Sequence, residues 1–446
     1  MKEMITQDML DQFEQEFKAN KANRVAMRAV VANGVNVSAI NNEAFRTERH
    51  QFSVKIKQGE ITNQKASGRC WMFAALNTMR FQVMQNLNLE TFELSQSYPL
   101  FFDKLEKANY FLESILETLD EPTEGRLIAY LLSAPLNDGG QWDMFCGLVD
   151  KYGVVPKDAM PESISSSATR EMVSWMTRKL REYACVLRQD YKNGVSMEEL
   201  RAQKDEMMST IYRMLCICLG EPPKSFTFEV RNKDDEFIRE TAITPQEFYK
   251  KYVKLNLNDY VSLINAPTAD KPYGHSYTVK FLGSVRGGRP VRYLNAPIDV
   301  LKRVAIAQML DGEPVWFGCD VGAFSIRQDG IMDMNVLKTD ELFDTEWKLD
   351  KAQRLDYGQS LMTHAMVFTG VNLDDNNKPN RWRVENSWGK DAGKDGYYVM
   401  SDEWFDEYMY QVVVNRKYLT DEELAQFESE PIALEPWDPM GSLATL

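Results

Sequence analysis

A cysteine, a glutamine, a histidine and an asparagine in this chain sit in surroundings suited to acyl transfer. The cysteine is Cys70, at the end of Asn63-Gln64-Lys65-Ala66-Ser67-Gly68-Arg69-Cys70, where a Ser-Gly pair gives way to a run free of Gly and Pro up to Leu87. That pattern reads as a loop entering a helix with Cys70 in its first turn. Unpaired N–H groups and the positive end of the helix dipole favour a thiolate there. Gln64, in the loop six positions earlier, can offer its amide to an oxyanion. The proton needs an imidazole, and the chain has three: His50, His275 and His364.

His364 opens the run His364-Ala365-Met366-Val367-Phe368-Thr369-Gly370-Val371, rich in β-branched and aromatic residues. The polar cluster Asp374-Asp375-Asn376-Asn377 follows, then Trp382-Arg383-Val384-Glu385-Asn386-Ser387-Trp388-Gly389. Two strand-like runs around an Asp/Asn turn predict a β-hairpin. Residue 375 lies midway between His364 and Asn386, so a hairpin closing there makes them cross-strand neighbours with Cβ atoms about 5 Å apart. A bulge would shift that register by a residue or two. The asparagine oxygen would then orient one ring nitrogen and leave the other to face the thiol, the division of labour that cysteine-peptidase chemistry requires.

Gln64-x5-Cys70-Trp71, His364-Ala365 and Asn386-Ser387-Trp388-Gly389 together resemble the signature blocks of papain-like cysteine peptidases. Ser67 stands where that signature has its first cysteine, so the usual disulfide is absent, and His364 follows Cys70 by 294 positions, which requires a large insertion. With the ending Trp437-Asp438-Pro439-Met440-Gly441-Ser442-Leu443-Ala444, these departures resemble the branch formed by bleomycin hydrolase and bacterial aminopeptidase C. The resemblance implies an α+β papain-like fold with a helical insertion. It casts Cys70 as nucleophile, His364 as general base and acid, Asn386 as its orienting partner, Gln64 as oxyanion donor and Trp388 as a shield over the Asn–His bond. Gly139 and Gly140 would line the cleft and bond the substrate backbone, although a plain turn before a helix at 142–152 is the alternative. Ala444, Thr445 and Leu446 would end a C-terminal arm lying in the cleft, whose carboxylate attracts the substrate's α-ammonium and blocks longer occupancy. Thr445-Leu446 runs slightly past that branch's usual end. A homohexamer acting on peptides with neither metal nor cofactor is also implied.

Bulk properties agree. A chain of 446 residues accommodates two or three domains, or one with a large insertion. The expected division is a catalytic helical lobe over 1–160, a helical insertion over 161–222, a β-rich lobe over 223–415 carrying His364 and Asn386, and an arm over 416–446. A net charge of −14 argues against broad phosphate-backbone binding. The first residues carry charges where a signal peptide needs an apolar core, and no apolar run reaches the ~20 residues of a membrane helix. Six cysteines without a regular framework fit reduced thiols, so a cytoplasmic location is expected. Cys216-Ile217-Cys218 lacks a second ligand pair for zinc.

Along the chain, helices are expected over 5–18, 101–135, 142–152, 163–219, 245–260, 304–310, 402–410 and 420–428. Strands are expected at 226–231, around 277–279 and at 315–321, besides the hairpin. The last 13 residues, with two prolines and no helical pattern, are expected to run extended, the alternative being a frayed end. Two other functions compete: an endopeptidase or other thiol amidohydrolase with an uncapped cleft, and a nucleic-acid-binding hexamer, which the acidic balance disfavours.

Overall fold

The run after Ser67-Gly68 forms one helix, Cys70–Leu87, and most of its residues are buried, round the whole circumference of its first three turns. A helix that is apolar on every side belongs inside a core, and this one packs on strands 315–319 and 364–373. In this computed structural model, which describes residues 3–443, the helix leads a helical lobe with Ser97–Glu117, Arg126–Ser133 and Trp142–Tyr152. The region expected to be helical over 101–135 divides in two because Pro122 and Gly125 fall between its helices. Arg170–Lys192 and Met197–Leu219 pack on Ser97–Glu117, and a Ser196–Glu199 capping box starts the second.

The other lobe is a mixed sheet. Its strands run in the order 432–434, 275–279, 293–295, 260–264, 409–415, 315–319, 364–373, 379–385, 397–401, 331–332, 325–326, with 54–55 added beside 364–373. The first eight residues of His364–Leu373 are all buried, because the Cys70 helix covers one face and helix Ile298–Leu310 the other. Two-sided burial explains why this strand reads as a continuous apolar run instead of an alternating one.

Several expectations need correction. The helix expected over 245–260 is Pro245–Phe248 followed by a π-turn, Tyr249–Val253; it stops at Lys254, whose φ of +58° no helix continues. Strand Tyr260–Ile264 begins soon after. The helix expected from Val304 starts at Ile298, directly after Pro297. A helix for which no expectation was stated, Lys21–Asn33, follows the first one, Gln7–Ala19. After a short parallel strand, Ile432–Leu434 beside 277–279, the last residues turn instead of running extended throughout, with a 3₁₀ turn at Pro439–Gly441.

Candidate active site

Two loops far apart in sequence are zipped together beneath the start of the Cys70 helix. The Gln64 N–H donates to the Ser387 carbonyl at 2.8 Å, and the Gly389 N–H donates to the Thr62 carbonyl at 3.1 Å. Ser387 Oγ donates to Gln64 Oε1 at 2.7 Å, which fixes the amide's orientation, and Nε2 donates to the Ser67 carbonyl at 2.7 Å. Gly389 has φ +81°, and a Cβ there would lie 2.5 Å from Asn63 Nδ2, so only glycine lets the loops approach this closely.

Asn386, next to that zipper, meets His364 as expected: His364 Nε2 lies 2.9 Å from Asn386 Oδ1. The register that brings them together differs from the expected one. Strand pairing begins at Val367 with Glu385 and carries a bulge between Phe368 and Gly370, while His364 itself pairs across to Cys319. Asn386 Oδ1 also accepts the Ser387 N–H at 2.8 Å, which identifies it as the acceptor oxygen. The proton between ring and amide therefore sits on Nε2, and Nδ1 is the basic nitrogen. The Trp388 ring lies 4.7 Å from the His364 ring, centre to centre, over this bond.

Cys70 is the first residue of its helix and fully buried. The Ala365 backbone N–H bonds to its sulfur, so thiol and imidazole belong to one site. The expected thiolate draws on proton transfer to His364 and on the helix position, and burial works against the second. Burial pushes the thiol up to about 12, outweighing the N–H groups of Ala365, Trp71 and Cys70 itself. His275 is exposed at a strand start and His50 stacks edge-on to Phe52, so neither joins the site.

The Gly139–Gly140 loop packs against Trp71, the residue after Cys70, and is held by buried lysines. Lys107 Nζ donates to the Gly139 carbonyl at 2.5 Å and sits 5.2 Å over the Trp71 ring. Lys104 donates to the Asn137 carbonyl at 2.5 Å and pairs with Asp138 at 2.8 Å. Trp71 Nε1 donates to the Asp138 carbonyl at 2.8 Å. A Cβ on Gly140 would stand 2.6 Å from the Trp71 indole, so this glycine is required by packing against the residue beside Cys70.

The C-terminal arm packs beside this loop. Trp437 lies under the Arg126 guanidinium at 3.9 Å, and Asp438 pairs with buried Lys271 at 2.9 Å. Gln141 Nε2, next to Gly140, donates to the Ser442 carbonyl at 2.7 Å; Ser442 Oγ donates to the Met362 carbonyl, two residues before His364, also at 2.7 Å. One arm residue thus bridges both lobes. Ala444, Thr445 and Leu446 lie outside the described residues.

Sequence reasoning missed four positioning groups. Ser387 holds Gln64. Ser67, in the disulfide cysteine's place, donates from Oγ to the Gln64 carbonyl and accepts from Arg69 Nε at 2.8 Å. Arg69 forms a fork with Glu162 at 3.1 and 2.8 Å. Arg80, from the Cys70 helix, meets Glu385, the neighbour of Asn386, at 2.6 Å with both side chains buried. A charge inside an apolar helix and a carboxylate in an apolar strand were the available signals for that last pair.

The profile of the Peptidase C1-like family matches residues 4–441. The chain belongs to the Peptidase C1-like family. It is 49% identical to aminopeptidase C of Listeria innocua over 440 residues, 99% of each chain. Human bleomycin hydrolase is 48% identical over 401 residues, 88% of each. The crystal structure of PepW from Lactobacillus rhamnosis superposes with a TM-score of 0.98 at 50% identity, covering all of both chains. This membership agrees with the α+β papain-like fold read from the motifs. No helix among the described residues is long and apolar enough to cross a membrane.

Proposed function

We propose that this protein is a cysteine aminopeptidase that removes residues one at a time from peptide N-termini, with Cys70 as nucleophile. The observation that carries the reading is the His364–Asn386 bond, which leaves Nδ1 as the basic nitrogen of a residue whose neighbour, Ala365, bonds the Cys70 sulfur through its N–H. Burial keeps the resting thiol protonated, so the thiolate arises by proton transfer to Nδ1. The sulfur attacks the first peptide carbonyl, and the oxyanion receives a hydrogen bond from Gln64 Nε2 and one from the Cys70 N–H, which has no acceptor within the helix. When the C–N bond breaks, Nδ1–H gives its proton to the leaving amine. A thioester remains, and water, deprotonated by His364, releases the amino acid and restores the thiol.

The stop that makes the cleft an exopeptidase site is the arm, whose last described residues lie between Gln141 and Met362. In this reading its terminal carboxylate pairs with the substrate's α-ammonium, and Gly139 and Gly140 flank the bound residue. The same arrangement needs neither metal nor cofactor. A homohexamer follows from the family resemblance. It is supported by helices Gln7–Ala19 and Lys21–Asn33, which bury none of their residues and expose Leu10, Phe13, Phe17 and Val31, a face we assign to a second copy of this chain. A cytoplasmic location is supported by six free thiols. The test is hydrolysis of an aminoacyl fluorogenic amide and its N-acetylated form: the free amine is expected to be cleaved and the acetylated one not, with iodoacetamide abolishing turnover. Equal cleavage of both would favour an endopeptidase with an uncapped cleft.

A further inference from the structure

Beside Gln64 and Trp388 lies a second, open part of the site. A cavity of about 860 Å3 opens there, bounded by Gln64 and Trp388 and reaching across to Asp138 and the first turn of helix Arg170–Lys192. Neither Gln141, Met362 nor Ser442, the residues around the arm, lines it. Its charged lining is one-sided. Lys65, Arg170 and Arg327 all face it, and none is held in an ion pair with a carboxylate among the described residues. The Arg327 guanidinium is fixed 4.2 Å over the Trp388 ring. The single acid in the lining, Asp138, is already engaged by Lys104 at 2.8 Å, by the Gly68 N–H at 3.1 Å and by the Thr169 hydroxyl.

If the amino end of a peptide is stopped at the arm, everything beyond its first residue must leave past Gln64 and Trp388. We propose that this cavity holds the leaving portion of the substrate and that Lys65, Arg170 and Arg327 select leaving portions that carry a carboxylate. The inference rests on the aminopeptidase reading. A carboxylate reaches the cavity from two sources, the free α-carboxylate of a di- or tripeptide or an acidic side chain in a longer one. The first source would make short peptides the preferred substrates, since their terminal carboxylate falls within a residue or two of the cleaved bond.

The experiment measures kcat/KM for release of the first residue from three tripeptides: the free acid, its C-terminal amide, and an amide whose last residue is aspartate. At low ionic strength the acid is expected to exceed its amide by about 5- to 10-fold, the effect of two or three solvent-facing cations on one anion. The advantage should shrink towards parity in 1 M salt. In an Arg170→Gln/Arg327→Gln variant the acid-to-amide ratio should fall to near 1, and in the corresponding double-lysine variant it should survive. The aspartate amide separates the sources: matching the acid means any carboxylate serves, matching the plain amide means the chain terminus is read. Equal rates for acid and amide in the wild type, or an unchanged ratio in the double-glutamine variant, would overturn the proposal and leave the aminopeptidase standing. Hydrolysis of none of the three would remove both.

Discussion

The two ends of the cleft are built differently. At one end the chain's own arm is packed in, tied to both lobes through Ser442 and anchored behind by Asp438 on Lys271. At the other end about 860 Å3 stands open, rimmed by cations. Between them the reacting groups sit where the lobes are clamped, by the Gln64–Ser387 zipper and by the buried Arg80–Glu385 pair. The contrast separates two tasks. In the proposed reading, bond cleavage depends on groups that neither end supplies, whereas substrate choice is set by a steric stop on one side and by charge on the other.

Substitutions in the middle should therefore slow all substrates alike, and substitutions at an end should change only a ratio. Cys70→Ala removes the nucleophile and is expected to lower kcat by about 10⁴-fold or more for free acid and amide tripeptides equally. A residual rate that depended on the substrate's far end would break the separation. Gln64→Ala should cost about 10²- to 10³-fold in kcat with little change in KM, again uniformly, because the amide acts on the transition state.

Glu162→Gln tests the scaffold instead of the chemistry. Burial raises the Glu162 carboxyl, but the Arg69 guanidinium wins and holds it at about 2. A carboxyl depressed in the folded state stabilises fully above its ordinary value of 4.5 and loses that contribution as the pH falls through about 2. The variant should thus be less stable than wild type by about 3 kcal/mol at pH 7, with the gap in urea denaturation narrowing steadily below pH 4.5. A gap independent of pH would mean that the fork is not what stabilises the loop before Cys70. Smallest of these effects is the several-fold acid preference at the open end, which should vanish with Arg170 and Arg327.

How much of this was legible in the sequence follows from how local each signal is. The Cys70 helix and the hairpin were readable because Ser-Gly before a Gly- and Pro-free run, and Asp/Asn between apolar runs, specify backbone directly. The His364–Asn386 contact survived a wrong register: the strands pair about residue 376 and not 375, as Leu373 with Pro379 and Val367 with Glu385 show, yet the asparagine side chain spanned the difference. The effect of burial on the Cys70 thiol was not legible, because a helix start is visible in sequence and complete burial is not. Ser387, Glu162 and the lysines under Gly139 stayed hidden since each acts on a partner between 32 and 323 residues away. The open end was invisible for the same reason, with Lys65, Arg170 and Arg327 brought together only by the fold.

The closed end is the central claim, and truncation of the chain after Gly441 tests it most directly. That cut removes Ser442, the bridge to Gln141 and Met362, together with everything beyond it. Hydrolysis of a free-amine and an N-acetylated aminoacyl amide would be compared in the intact and truncated proteins. The truncated enzyme is expected to gain cleavage of the acetylated substrate while its preference for the free amine collapses. An undiminished preference for the free amine after truncation would contradict the account.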